Sequence, residues 1–448
     1  MAKKIKKRFL IFLILFVIVA AFVVGTTIHK RLTCLKFELN EAGNSYILVG
    51  YDESGIPSEV EIPATYKDLP VTEIADRALH SAPINQVTIP STITIIGKSA
   101  FAGSGLTQIE IPDSVRIIDS SAFENCSSLS NVIIGEGVEK IGDEAFLLCA
   151  NDMNVTLGNN VTSIGEGAFV GCAFNEYKGN KYLGSAKIEG QEANPYYALI
   201  TGYTNPTIHP STRIIADHAF EGSSITSVEI PDSVTHIGES SFYSYQLEYV
   251  KLGSNLLSIG KSAFFSQKLT SISIPKGVKF IGAGAFICPE DLRGLSIYYE
   301  GTLEDWCHVT LESSLYSSKL VWNEDARKWV TVETTVYIEG YNADKIVVPE
   351  SIFEIKKNTF ISNKSLKYIV IHESVLSIEK EAFPNNTTIY YMGNKADWAK
   401  ITIPNNAYDK NPIFYYSEEL PTDNLDSYWH YNDFGEIVLW ETDDAQND

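Results

Sequence analysis

The sequence predicts a β-rich solenoid with short helical turns, set behind one N-terminal transmembrane helix. Three observations carry this. The first is a repeat. Leu106–Ser128 and Leu129–Asn151 align without a gap, matching Leu106 with Leu129, Ile109 with Val132, Ile118 with Ile141, Phe123 with Phe146 and Cys126 with Cys149. The second is its recurrence. An Ala-Phe step closes the unit at Phe101, Phe123, Phe146, Phe169, Phe220, Phe264, Phe286 and Phe383, with degenerate copies at Leu79, Phe242 and Phe360. Within each run these positions are 22 or 23 residues apart, and a fixed period of that length marks a stacked array. The third is an uncharged apolar run from Phe9 to Ile28, preceded by Lys3, Lys4, Lys6, Lys7 and Arg8.

Each part of the unit has a physical reading. In Leu106-x-x-Ile109-x-Ile111 the last two apolar residues alternate, as a strand with one buried face requires. Pro112 ends that strand because it cannot donate to a ladder. Val115 and Ile118 return the chain beneath the core, and Ala-Phe fills the interior before a polar turn. Glycine follows the second isoleucine at Gly97, Gly142, Gly165, Gly238, Gly260 and Gly282, with Asp119 replacing it once. A positive φ is the expected reason for it. One unit cannot bury its own apolar side, so stability has to come from stacked neighbours.

The combination of Ile-Pro after the first strand, Val-x-x-Ile-Gly and Ala-Phe-x-x-Cys resembles the BspA-type leucine-rich repeat, over most of residues 46–416. The resemblance implies a leucine-rich-repeat solenoid. It also implies surface proteins associated with adhesion to host matrix proteins or other cells. It makes Val60–Val71 a lengthened first repeat acting as an N-terminal cap. Asn194-Pro195-Tyr196 becomes the core of a family insertion. Tyr298–Trp306 and Tyr390–Trp398, each a strand, a turn and Asp-Trp, become terminal coils with a short Trp-bearing helix.

The chain then divides as a basic cytoplasmic tail (1–8), a transmembrane signal-anchor (9–28) and a spacer (29–45). The N-terminal cap and first repeat run follow (46–172), then a hairpin insertion (173–207) in which Tyr196–Ile200 reads as a strand. A second run (208–287), a Trp-bearing interruption (288–342) and a third run with its terminal coil (343–416) come next. An aromatic C-terminal cap and acidic tail (417–448) complete it. The 20-residue run Phe9–Ile28 matches the ~30 Å of hydrocarbon a helix must cross. The lysines before it keep the N-terminus cytoplasmic and send the bulk of the chain outside. The alternative is a signal peptide cleaved near Val19-Ala20-Ala21 and a secreted product.

Residues beyond 31 carry 28 Lys and Arg against 56 Asp and Glu, a formal charge of −28. That balance argues against nucleic acid as a partner. Cys126, Cys149 and Cys172 share one repeat position that Ser104, Tyr245, Gln267 and Asn363 also occupy, so they read as free buried thiols. Cys288 and Cys307 flank the first Asp-Trp segment and are the better candidates for a disulfide. No Cys-x-x-Cys, His-x-x-x-His or phosphate-binding glycine loop occurs. The expectation is no enzyme, no metal and no cofactor. Asn-x-Ser/Thr sequences such as Asn125 and Asn363 fall in repeat turns, where Asn serves turn geometry.

The first strands leave a row of outward positions: Thr107, Gln108 and Glu110; Ser130, Asn131 and Ile133; Glu229; Glu248, Tyr249 and Lys251; Lys367, Tyr368 and Val370. Solenoid sheets of this kind bind partners. The expected ligand-binding set is Gln108, Glu110, Asn131, Glu229, Glu248, Tyr249, Lys251, Lys367 and Tyr368, with Tyr249 and Tyr368 as aromatic anchors. The expected function is a membrane-anchored cell-surface protein recognising an extracellular protein or glycan. The alternatives are a structural cell-envelope scaffold and, behind it, a secreted hydrolase. If the sheet is not the site, Tyr196–Ile200 and the segment around Trp306 are next in line.

Overall fold

The computed structural model describes residues 34–52, 55–187, 190–287, 295–313, 315, 318–323, 328–333, 335–339, 344–361, 363, 366–405, 407–408, 410–419, 421 and 427–440. The membrane-spanning expectation at Phe9–Ile28, the acidic tail 441–448 and Cys288 lie outside these residues. No helix among the described residues is long and apolar enough to cross a membrane. The chain forms two compact units, residues 1–176 with 181–200, and residues 177–180 with 201–448.

In the first unit the repeats contribute short strands to parallel ladders. Gln108–Ile111, Asn131–Ile134 and Asn154–Leu157 pair in register, Gln108 opposite Asn131 and Asn131 opposite Asn154. The second ladder runs Tyr46–Tyr51, Leu69–Ile74, Ile95–Ile96, Ile117–Ile118, Lys140–Ile141 and Ser163–Ile164. A third line of contact follows the Ala-Phe arm, where the Phe123 amide donates to the Ala145 carbonyl at 2.7 Å and that of Phe146 to Ala168 at 2.9 Å. This arm closes as hydrogen-bonded turns. Inside it the phenylalanine rings form a column, Phe101, Phe123, Phe146 and Phe169, with centroids 5.0, 5.0 and 5.2 Å apart.

Two expectations need correcting here. Within the stretch read as a spacer, Leu35–Leu39 is an antiparallel strand on Tyr46–Tyr51, and Cys34 and Leu35 are buried. The alternation in Leu35-Lys36-Phe37 was too short to register against the polar residues after it. The glycine reading also changes. None of Gly97, Gly142, Gly165, Gly238, Gly260 and Gly282 has a positive φ. A Cβ on Gly142 would stand 2.5 Å from the Ser120 nitrogen, and one on Gly238 2.5 Å from that of Asp217. Glycine is required there because successive coils touch backbone to backbone. The left-handed residue sits two positions later, at Ser99, Ser121, Glu144, Gly167, Ser240, Ser262 and Gly284, with φ between 50° and 64°. It turns the chain from the second strand into the Ala-Phe arm.

The insertion also builds core. Tyr197, Ala198 and Leu199 are buried, and the Tyr197 hydroxyl donates to the Asn159 and Val161 carbonyls at 2.6 and 3.1 Å. Tyr196–Ile200 is therefore largely closed to a ligand.

The second unit repeats the plan. Its phenylalanine column is Phe220, Phe242, Phe264 and Phe286, at 5.2, 5.3 and 5.9 Å. Ser227–Glu229 pairs with Tyr249–Lys251, and Ser271–Ile274, Ser296–Thr302 and Thr335–Glu339 continue in parallel. Lys345–Val347, Tyr368–Ile371, Thr388–Tyr391, Ile413–Tyr416 and Tyr428–Tyr431 form another parallel set, closed by antiparallel Ile437–Leu439.

The Asp-Trp segments form helices α1 (Leu303–Cys307) and α2 (Lys395–Trp398), capped by Thr302 and Asn394. In each, a tyrosine ring lies against a glycine and edges onto the tryptophan, Tyr299 on Trp306 at 5.1 Å and Tyr391 on Trp398 at 5.2 Å.

Candidate binding surface

The outer face of the first-strand ladders follows from the strand period of two. Along Gln108–Ile111 the side chains alternate exposed and buried, and Asn131–Ile134 does the same. Because the strands are parallel and in register, outward residues stack in rows: Gln108 beside Asn131, Glu110 beside Ile133. Together with Gln86 and Thr88 they line a shallow groove of about 350 Å³ in the first unit. The neighbouring hydroxyls of Thr107 and Ser130 donate to the Asn85 and Thr107 carbonyls, at 3.4 and 3.2 Å, and so serve coil stacking.

In the second unit Glu229 stands opposite Lys251, with 3.5 Å between their charged atoms, and Tyr249 lies opposite Ser227. Lys268 pairs with Glu248 at 3.1 Å. Tyr249 is 52% exposed, flanked by charges that largely cancel. Exposed pairs of this kind contribute little stability, ~0–1 kcal/mol each, and orient their side chains loosely.

Lys367 and Tyr368 form a third group. Lys367 bonds Asp344 at 2.7 Å, and that hydrogen bond raises the ammonium above its ordinary pKa. Tyr368 is half-buried, with the Tyr390 ring at 5.4 Å and the Lys345 ammonium 5.9 Å from its centroid. Tyr249 is thus the open aromatic of the two. Val370, expected outward, is fully buried. Its row neighbours are Val347 and Tyr390, and Tyr390 is itself packed on Phe414 and Trp429.

One outward pair escaped the sequence reading. Tyr298 lies in register with Ser273 and with Tyr337, and the two tyrosine rings stack at 4.8 Å while each remains nearly half exposed. The alternation Ser296-x-Tyr298 was the available signal. It is masked in sequence by the Asp-Trp element that follows.

Within either unit, the described residues gather no three His, Cys, Asp or Glu side chains at metal-binding distance. A second groove, about 500 Å³, is lined by Glu373 and Asp397. Asp397 has both oxygens engaged, one by the Asn394 amide and one by the Lys400 ammonium at 2.7 Å. It is not placed as a free nucleophile or base.

Cys126, Cys149 and Cys172 are free thiols. Cys126 and Cys149 donate to the Phe101 and Phe123 carbonyls at 3.2 and 3.3 Å. Burial raises all three thiols and pushes Cys172 up to about 12. Cys307 is free as well, and Cys288, the partner expected for it, lies outside the described residues. Trp306, the last fallback position, is buried.

The family model for the BspA type leucine rich repeat region matches in six copies, over residues 72–186, 196–305 and 328–420. Among solved structures, the chain is similar to a leucine-rich repeat protein of T. pallidum (21% identity, 57% of this chain and 86% of that one, TM-score 0.30). It is also similar to one from Bacteroides ovatus (19%, 86% and 93%, TM-score 0.31). A third is from Bacteroides capillosus (29%, 28% and 94%, TM-score 0.26). No curated protein matches the chain.

Proposed function

The chain belongs to the BspA-type leucine-rich-repeat family, and from that premise we propose an outward-facing recognition protein. It is held at the membrane through Phe9–Ile28 and binds an extracellular protein or glycan on the outer face of its sheet. The observation that carries this reading is Tyr249, an aromatic 52% exposed on the Tyr249–Lys251 strand, which lies opposite Ser227 on a face that also carries the Glu229–Lys251 and Glu248–Lys268 ion pairs. Exposed tyrosines on preformed surfaces dominate binding energy, and mixed charge around them supplies specificity more than affinity. The groove at Gln108, Glu110 and Asn131 adds a polar surface of the same ladder type.

The test has two parts. Residues 32–448 are screened for binding against extracellular-matrix proteins and a glycan array. For any binder found, Tyr249→Ser with Tyr368→Ser weakens binding several-fold while circular dichroism stays unchanged, since an anchor of this kind contributes more than about 1 kcal/mol. Undiminished binding by the double variant refutes the sheet as the site. Protease treatment of intact cells, with the mass of the membrane-bound form, decides between anchor and cleaved signal.

A further inference from the structure

The two Asp-Trp segments align position by position. Trp306, Cys307, Val309 and Leu311 correspond to Trp398, Ala399, Ile401 and Ile403. The first four are buried; Trp398, Ile401 and Ile403 are only half-buried and Ala399 is exposed. The difference lies in what covers them. After Lys345–Val347 the chain wraps as a full coil through Phe360 and lies on α1. The Trp306 indole donates to the Thr359 carbonyl at 3.0 Å, Lys356 to the His308 carbonyl and Thr310 hydroxyl at 3.1 and 3.2 Å, and Asn358 to the Leu311 carbonyl at 3.1 Å. After Tyr428–Tyr431 the chain instead doubles back as Ile437–Leu439, and Trp440 donates to Ser417 at 3.1 Å. Among the described residues, no coil wraps over α2.

The bare face continues the coil-on-coil interface of the second unit, since Thr402 bridges Ser377 as Thr310 pairs with Phe280. It also keeps the groups that receive the coil at α1: an indole N–H at Trp398, carbonyls at Lys400 and Ile403, and a hydroxyl at Thr402 in the place of Thr310. Partly exposed apolar side chains beside hydrogen-bonding groups are the makings of a docking surface.

We infer that the face of Trp398, Ile401 and Ile403 is a docking site for a leucine-rich-repeat coil of another chain, one carrying a lysine, an asparagine and a backbone carbonyl spaced as in Lys356-x-Asn358-Thr359. This site is at the end of the array and is independent of the sheet-face reading.

The test uses the full chain in detergent, labelled with 5-fluorotryptophan, and a synthetic peptide with the sequence of residues 344–361 as the coil. Of the six tryptophans, the resonance lost in Trp398→Phe is expected to shift saturably with peptide. The Ile401→Asp variant abolishes the shift, and a peptide with alanine at the positions of Lys356 and Asn358 binds about tenfold more weakly, as losing charge-assisted and amide hydrogen bonds implies. No shift at ~1 mM peptide, the weak end of specific binding, overturns the proposal. A shift that survives Ile401→Asp overturns it too. Self-association lost in Ile401→Asp, with the peptide leaving Trp398 unmoved, overturns it in favour of a second copy docking by a different surface.

Discussion

Phe146 lies between Phe123 and Phe169, at 5.0 and 5.2 Å, with no exposed surface. Phe146→Ala is expected to cost about 3–5 kcal/mol, because the rings above and below cannot close the gap without breaking the ladders on either side. Chemical denaturation measures the loss, and hydrogen exchange should place it in the two adjacent coils, since each coil contacts its neighbours alone. The thiols act at the same scale. Cys172 holds its proton up to about 12 in the native state, against 9.0 ordinarily. Its folded pKa lies above the unfolded one, so between these values the native state keeps a proton that the unfolded chain has released. Stability from this group is full below pH 9.0 and fades as pH approaches about 12. The advantage of the wild type over Cys172→Ala should therefore shrink across that window in pH-dependent melts. An advantage constant across it would show that the thiol is not shielded.

At the scale of the element, α1 and α2 are one construction in two settings. Trp306 is covered by the coil that ends at Phe360 and donates to Thr359, whereas Trp398 is half-buried. Trp306→Ala removes a buried ring and strands a carbonyl, so a loss of about 3–5 kcal/mol is expected. Trp398→Ala removes less buried area and no such bond, and should cost about 1–2 kcal/mol, the ordinary range for a partly exposed site. Equal losses in the two variants, measured by denaturant midpoint at constant slope, would contradict the coverage seen here.

For the molecule as a whole, the acidic balance is expected to disfavour polyanionic partners. With 28 bases against 56 acids beyond residue 31, a polyanion meets net repulsion that acts mainly within a Debye length of the surface, about 8 Å in physiological salt. Lys251, Lys268 and Lys367 already face carboxylates at 2.7 to 3.5 Å, so no cluster of unmatched cations stands out among the described residues of the candidate surface. Residues 32–448 should pass through a heparin column unretained at 0.15 M salt. Retention there would point to a basic surface outside the described residues.

The period, the strand alternation, the proline stops and the phenylalanine column were all legible in the sequence. Each follows from residues within one 22–23-residue unit, and the outward places of Gln108, Asn131 and Tyr249 came with them. What the tertiary structure decided is what neighbouring coils do to a position. Gly142 is glycine because the Ser120 backbone approaches from the coil before. Val370 is buried in register with Tyr390, and Tyr298 and Tyr337 meet across 39 residues of sequence. Trp306 finds its acceptor 53 residues on, whereas Trp398 has no covering coil among the described residues. A repeat specifies its own coil through local periodicity. Which faces stay open depends on where the chain wraps again and where it turns back, and that is set by contacts the period does not encode.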